Sequence, residues 1–460
     1  MGSPFDLPLR IALDSALDYL HHLDSRPVTA TATLGELRAR LVKPLEGTGV
    51  PAGQVVRELA ADVAGGLIGN SSGRFYGWVM GGAVPASLAA DWLASAWDQN
   101  AAVYACSPAA AVVEEAAGAW LKDLLALPAD ASFALVTGCQ SAHTTCLAAA
   151  RHWLLERRGW DVEERGLAGS PPIRILTSTE RHGSFDRAVR LTGLGRRAIR
   201  VLGCDDEGKL RPEALEAALR EDTAAPTIVL LQAGDLHMGT YDAFPALIPL
   251  ARQAGAWVHV DGAFGLWAAA SPRYAHLMAG AEAADSWATD GHKWLNVPYD
   301  CGYAFVAHPE AHRASMSYRA AYFSTSDEAR DQMDWNPEWS RRARGFATYA
   351  ASREMGRQGV AEMIERCCRH AAALVEGIGA LPGAEVVWPA RVNQGMVRFF
   401  GDDARTDAAI AAIQATGAAF FGGSTFRGRR VMRISVCNWL TSERDVETAI
   451  AAVRNAIMAV

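Results

Sequence analysis

The chain lacks most of the short signatures that announce a chemistry. Its eight cysteines, Cys106, Cys139, Cys146, Cys204, Cys301, Cys367, Cys368 and Cys437, include no C-x-x-C pair, so free thiols in a reducing compartment are expected rather than a zinc site or a disulfide framework. The twelve histidines include no H-E-x-x-H, and neither a Walker-type phosphate loop nor a G-x-G-x-x-G is present, which disfavours a zinc protease, a P-loop kinase or a dinucleotide dehydrogenase. Positive charge is not in excess: 44 basic residues stand against 51 acidic ones, a formal net charge of −7, so no nucleic acid and no anionic membrane is expected as partner. No apolar run reaches 18 residues and no basic start leads into an apolar signal segment, which makes the cytoplasm the expected compartment.

What is present is an ordinary globular composition, 50% hydrophobic and 21% charged, over 460 residues, enough for two or three packed units. Between residues 132 and 307, short apolar runs alternate with helical patterns: SFALVTG, IRILTS, AIRVLG, PTIVLLQA, AWVHVDG, ADSWATD and CGYAFVA. Continuous runs rich in β-branched residues, separated by helices, predict an α/β domain with a doubly wound, mostly parallel seven-stranded sheet covered on both faces. The expected partition is a helical arm over 1–74, the large domain over 75–320, a mobile loop over 321–340 and a smaller α+β domain over 341–460. Within that last part, helices are expected over 341–356, 359–378, 403–416 and 442–458. The stretch GGLIGNSSGRFYGWVMGG is too rich in glycine for a long helix and is expected to line something as a loop.

In open α/β sheets ligands bind outside the carboxyl ends of the strands. Three reactive groups fall at such ends: Asp261 after AWVHV, His292-Lys293 just beyond ADSWATD, and His182 after IRILTS. Lys293 lies in TDGHKWLNVP, among neighbours that look buried, where a lone lysine is costly and its pKa tends to fall. Taken alone it could equally snorkel to water. The set of Asp, Lys and His at one rim suits pyridoxal phosphate: a lysine for covalent attachment, a carboxylate for the ring nitrogen, and an imidazole against the ring face. LVTGCQSAHTTCLAAAR supplies a strand, a tight turn at Thr137-Gly138 and a helix start whose amides from Cys139 to Ser141 could seat a phosphate.

The segments TGCQSAHTT, STERHGSFDRA, VHVDGAFGLWA, ATDGHKWLNVPYDCG and RISVCNWLTSERDV, in that order, resemble the group II pyridoxal-phosphate-dependent decarboxylases, which include aromatic amino-acid and glutamate decarboxylases. The resemblance runs from about residue 75 to the end of the chain. It implies a fold type I enzyme in which Lys293 carries pyridoxal 5'-phosphate, Asp261 pairs with the ring nitrogen, Ala263 supports the ring and His182 stacks on it. It places Gly138, Cys139, Gln140 and His292 at the phosphate. It also implies a homodimer with the site at the subunit interface, where Trp78 of the Gly-rich stretch either lines the other subunit's pocket or belongs to the core.

The chain departs from the family pattern at several places. Gln140 stands where a hydroxyl residue is usual, and His143 where Asn or Thr is. After LLQAG, Asp235 and His237 either contact cofactor or substrate or hydrogen-bond neighbouring loops. In RDQMDWNPEW, Gln332 falls near the position of the family's proton-donating tyrosine, with Tyr322 the nearest upstream alternative. The expected activity is decarboxylation of an L-amino acid to an amine. Another pyridoxal reaction is the alternative, whether aldol cleavage, β-elimination or decarboxylation-dependent oxidative deamination, and a non-catalytic module is the third reading. Trp78, Tyr104 and Phe323 as candidate wall residues favour an aromatic or bulky apolar substrate. Arg319, Arg330 or Arg433 in the pocket would instead favour an acidic one.

Overall fold

A computed structural model describes residues 2–318 and 329–459. By its contacts the chain forms two compact units.

The larger unit, residues 81–372 with 390–395, is built on a seven-stranded sheet. Its strands are β1 (Ser132–Val136), β2 (Arg174–Thr177), β3 (Ile199–Val201), β4 (Thr227–Gln232), β5 (Trp257–Asp261), β6 (Ser286–Asp290) and β7 (Gly302–Val306), in the order β1-β7-β6-β5-β4-β2-β3. Strands β3, β2, β4, β5 and β6 pair in parallel, and β7 is antiparallel to both its neighbours, so β1 runs in the direction of the parallel set. The expected α/β class is therefore observed. Every residue of β1, β4, β5, β6 and β7 is buried, which explains why the runs are continuously apolar instead of alternating. Val136, Ile175, Leu230 and Trp257 from the strands pack with Ala142, Leu147 and Phe185 from the helices Cys139–Glu156 and Gly183–Leu191. This layering brings the carboxyl ends of β1, β2, β4, β5 and β6 to one edge of the sheet.

The expected mobile loop over 321–340 is corrected in its second half, since residues 319–328 lie outside the described residues. Residues 329–340 are held to the larger unit. Asp331 Oδ1 accepts the Tyr104 N–H at 2.9 Å, the Met333 N–H donates to the Ala102 carbonyl, Arg313 pairs with Asp334, and His312 Nε2 meets the Trp335 carbonyl. Gln332, Met333, Asp334 and Asn336 are buried as a result.

The smaller unit joins residues 1–80 to 373–389 and 396–460, which corrects the expectation of a separate N-terminal arm. The reason is backbone pairing: the Val28 N–H donates to the Gly417 carbonyl, Tyr76 N–H to Phe420, and Ser435 N–H to Tyr76. Val28, Phe75 and Phe420 pack together over these bonds. The unit's four-stranded sheet runs β10-β11-β9-β8, from β8 (Ala384–Arg391), β9 (Gln394–Phe399), β10 (Gly422–Phe426) and β11 (Arg429–Ser435). Strand β10, GGSTF, was not expected, because it carries no apolar alternation and is held by its antiparallel pairing with β11. The two helices expected over 341–356 and 359–378 are observed within Gly345–Gly379, separated at a non-helical Gly356 with φ of 59°. Among the described residues no helix is long and apolar enough to cross a membrane.

Candidate active site

The site grows from the ends of β5 and β6. Beyond β5 the chain turns through Gly262 and Ala263, the Gly262 N–H donating to the Ala288 carbonyl and the Asp290 N–H to that of Ala263, so the sheet pattern continues past both carboxylates. Strand β6 then enters the turn 291–297 that carries Lys293, closed by Gly291 N–H to Cys301 carbonyl and Val297 N–H to Gly291 carbonyl. Asn296, at φ of 50°, donates from Nδ2 toward the Lys293 and Trp294 carbonyls and accepts the Gly82 N–H at Oδ1, 2.7 Å away. Gly81 lies so close that a Cβ there would stand 2.1 Å from the Lys293 carbonyl oxygen. The end of the Gly-rich stretch thus lines the back of the lysine turn, and glycine is what permits the approach.

Lys293 Nζ lies 3.1 Å from Asp290 Oδ2, with 18% of its side chain exposed. Burial, the largest single influence, pushes its pKa down, but the charge and hydrogen bond of Asp290 together with the charges of Cys139 and Asp261 leave it above the ordinary lysine value, the reverse of the expected direction. The other Asp290 oxygen accepts the Cys139 N–H at 2.5 Å, at the start of the helix Cys139–Glu156. His292 Nδ1 meets the Cys301 carbonyl at 3.0 Å, its Nε2 is 3.6 Å from Asp290, and its ring stacks on Tyr299 with centroids 4.2 Å apart. Burial pushes the His292 pKa down. Asp261 is 3% exposed; burial pushes its carboxyl up, yet His143 facing it holds it well below the usual carboxylate range.

The structure brings Lys293, Asp261, His182, Cys139 and His292 into one electrostatic neighbourhood: the charge of His182 acts on Asp261, and those of Asp261 and Asp290 act on Lys293. His182 is exposed and caps the helix Gly183–Leu191, accepting the Ser184 N–H at Nδ1. Ala263 donates its N–H to Asp261 Oδ1 at 3.1 Å. Gly138 forms the turn beneath Asp290 and His292, and Gly302 of β7 lies behind it, where a Cβ would be 2.4 Å from the Gly138 carbonyl carbon. Gln140 is half-buried in the first helical turn, while the hydroxyls at this turn come from Thr137 and Ser141, 2.8 Å apart.

Other expected residues are engaged elsewhere. Asp235 is buried and spends both carboxylate oxygens on the N–H groups of His237, Met238 and Thr240 in its own loop, so a cofactor contact from it finds no support here. His237 lies 3.9 Å from Glu180. Arg330 is half-buried beside Glu114, over the rings of Phe133 and Trp335, which argues against a substrate role. In the smaller unit Arg433 is buried beside Ser435, and Trp78 is 56% exposed against Phe75 and Phe420, so Trp78 is not a core residue. Gln332 is fully buried and neither of its amide atoms meets a partner among the described residues. Arg319, Tyr322 and Phe323 lie outside the described residues. Asp290 and His143 were not assigned roles from sequence; the signal for Asp290 was a second strand-end carboxylate three residues before the lysine.

The donor set fits pyridoxal phosphate: an amine at Lys293, a buried anionic carboxylate at Asp261, an imidazole at His182, and a helix start reached through the Gly138 turn, which a Cβ at Gly302 would crowd. Residues 45–400 match the model of the pyridoxal-dependent decarboxylase conserved domain. The chain is 28% identical to tryptophan decarboxylase 1 of Oryza sativa subsp. japonica, over 96% of this chain and 91% of that one. It is 25% identical to 4-hydroxyphenylacetaldehyde synthase of Rhodiola rosea, over 95% and 92%. The crystal structure of the Oryza sativa decarboxylase with pyridoxal phosphate and tryptamine superposes with a TM-score of 0.91 at 25% identity, covering 98% of this chain and 97% of that one. With a family match across most of its length and a site of the matching chemistry, this chain belongs to the pyridoxal-dependent decarboxylases, enzymes that use pyridoxal phosphate to release carbon dioxide from an amino acid.

Proposed function

We propose that this enzyme decarboxylates an aromatic or bulky apolar L-amino acid to its amine, with Lys293 as the attachment point of the cofactor and Asp261 as the partner of its ring nitrogen. The observation that carries the assignment is the amine of Lys293, 3.1 Å from one strand-end carboxylate and within the field of a second, buried one. Bound pyridoxal phosphate supplies an electron sink for the pair left on the α-carbon when the carboxylate departs. Lys293 must lose a proton from Nζ before it can attack a carbonyl, and Asp290 Oδ2 is in position to take it. Asp261, kept anionic against burial, favours a protonated ring nitrogen and so the sink. His182, exposed at the head of its helix, would lie against one ring face and Ala263 against the other. The Gly138 turn offers the amides of Gln140 and Ser141 as the phosphate seat, since that of Cys139 is taken by Asp290. The substrate preference draws support from the commitment of Arg330 to Glu114 and from the likeness to a tryptophan decarboxylase.

A second reading, an aldehyde product, is favoured by one feature: Gln332, where the family's proton-donating tyrosine is expected, carries no acidic proton. The likeness to a 4-hydroxyphenylacetaldehyde synthase points the same way. Incubating the holoenzyme with the twenty amino acids and measuring carbon dioxide, amine, aldehyde, ammonia and hydrogen peroxide separates the two. Amine with carbon dioxide supports the first reading; aldehyde with ammonia and peroxide, at the expense of oxygen, replaces it with the second. Borohydride treatment should label Lys293 in either case, and label elsewhere would overturn the attachment site.

We further propose a homodimer in the cytoplasm. The helix Asp6–His21 buries none of its residues and leaves Leu9, Leu13 and Leu17 exposed, and Phe5, Leu41, Val55 and Leu59 of the same N-terminal segment are exposed as well, apolar surface suited to a second copy of the chain. Exposed Trp78 suits a role in the partner's pocket, and eight free cysteines suit a reducing compartment. Light scattering showing an active monomer would refute the dimer.

A further inference from the structure

Behind Asp261 lies a chain of buried polar groups that the reaction as described does not use. His143, on the helix Cys139–Glu156, places Nε2 3.5 Å from Asp261 Oδ2 and 3.4 Å from Cys139 Sγ. Its Nδ1 is 2.9 Å from Nε2 of His259, whose Nδ1 is 2.8 Å from Ser286 Oγ. Ser286 Oγ in turn accepts the Trp257 indole N–H at 2.9 Å. Trp257, His259 and Asp261 alternate along β5 and therefore share one face of the sheet, the face on which His143 packs. All five groups are buried: His143, Trp257 and Ser286 show no exposure, His259 1% and Asp261 3%. Phe185 closes the flank, edge-on to His143 and stacked on His259.

The chain has a direction. An indole nitrogen only donates, so Ser286 Oγ accepts there and has its own hydrogen to give. A carboxylate only accepts, so a hydrogen of His143 sits on Nε2, while His143 Nδ1 and His259 Nε2 share a single hydrogen between them and His259 Nδ1 meets the Ser286 hydroxyl. Burial pushes the His259 pKa down to about 3, consistent with a neutral ring. The remaining groups around this line are the thiols of Cys139 and Cys146, both pushed up by burial, and the charged His182, Lys293 and Asp290 at the cofactor side.

We propose that His143 and His259 are positioning residues that fix a hydrogen on His143 Nε2 against Asp261 and thereby keep Asp261 an anion for the cofactor's ring nitrogen. This rests on the assignment of Asp261 to that nitrogen. An alternative tautomer at His143 would turn a lone pair toward the carboxylate, favour its protonation and weaken the electron sink.

The test reads tautomers directly. In apoenzyme labelled with ¹⁵N-histidine, difference spectra against His143→Asn and His259→Asn assign the two rings. The expected result at neutral pH is His143 protonated on Nε2 and His259 neutral. A His143 ring with no hydrogen on Nε2 overturns the proposal. In holoenzyme reconstituted with ring-¹⁵N pyridoxal phosphate, His259→Phe and His143→Leu should move the ring-nitrogen shift toward the unprotonated form and lower kcat about 10- to 100-fold with KM little changed. His259→Gln, which keeps an N–H donor, should recover part of both. If Asp261→Asn moves the shift and the histidine variants do not, the relay is wrong and the Asp261 assignment stands. If none moves it, both fall. Should the variants fail to fold, the wild-type spectra, assigned by the response of the facing rings to Asp261→Asn, decide the tautomers.

Discussion

Asp290 holds the Lys293 ammonium 3.1 Å from one carboxylate oxygen while the other takes the N–H that opens the helix Cys139–Glu156, so a single side chain ties the amine to the start of that helix. Among the groups that raise the Lys293 pKa against burial the charge of Asp290 is the largest, so Asp290→Asn should lower it. Acetylation of Lys293 in the apoenzyme, followed by mass spectrometry across pH, should begin at lower pH in the variant than in the wild type. An unshifted profile would show that Asp290 does not set the amine's proton affinity.

Gly81→Ala places a methyl group 2.1 Å from the Lys293 carbonyl, against backbone that cannot give way cheaply. We expect a loss of about 1–3 kcal/mol in unfolding free energy and weaker cofactor retention, whereas Gly47→Ala, with no atom near its added Cβ, should change neither. Equal thermal midpoints for the two variants would contradict this.

His312 is buried neutral, its Nδ1 2.8 Å from Ser132 Oγ and its Nε2 2.9 Å from the Trp335 carbonyl, and burial pushes its pKa down to about 3. A histidine whose folded pKa is depressed contributes stability that is present above its unfolded pKa of about 6.5 and is lost as pH falls toward the folded value. His312→Gln should therefore be less stable at pH 7 but lose less on acidification from pH 6.5 to 4, as read by urea midpoints. Parallel pH curves for variant and wild type would reject the assignment.

Arg330→Met should lower stability without changing the ranking of substrates, because Arg330 is spent on Glu114 and on the Phe133 and Trp335 rings. Tryptophan, tyrosine or phenylalanine should be consumed faster than glutamate or aspartate by wild type and variant alike. A selective loss of activity toward acidic substrates in the variant would return Arg330 to the pocket.

The sequence by itself determined the central strands of the large sheet, because strands buried on both faces read as apolar runs and the helices between them carry a different period. It also determined which chemistry-bearing residues reach the strand ends, since Asp261 and Lys293 follow their strands within a few residues. What only the tertiary structure decided are the meetings between distant segments. Asp290 touches Cys139 because β7 inserts between β1 and β6 and sets the helix after β1 across their ends. His143 faces His259 and Asp261 because that helix packs on one face of β5, a matter of orientation invisible to local periodicity. Strand β10 exists only through its pairing with β11, and residues 1–80 join the C-terminal unit through backbone bonds such as Val28 to Gly417. Backbone hydrogen bonds of that kind involve no side chain, so no pattern of side chains records them.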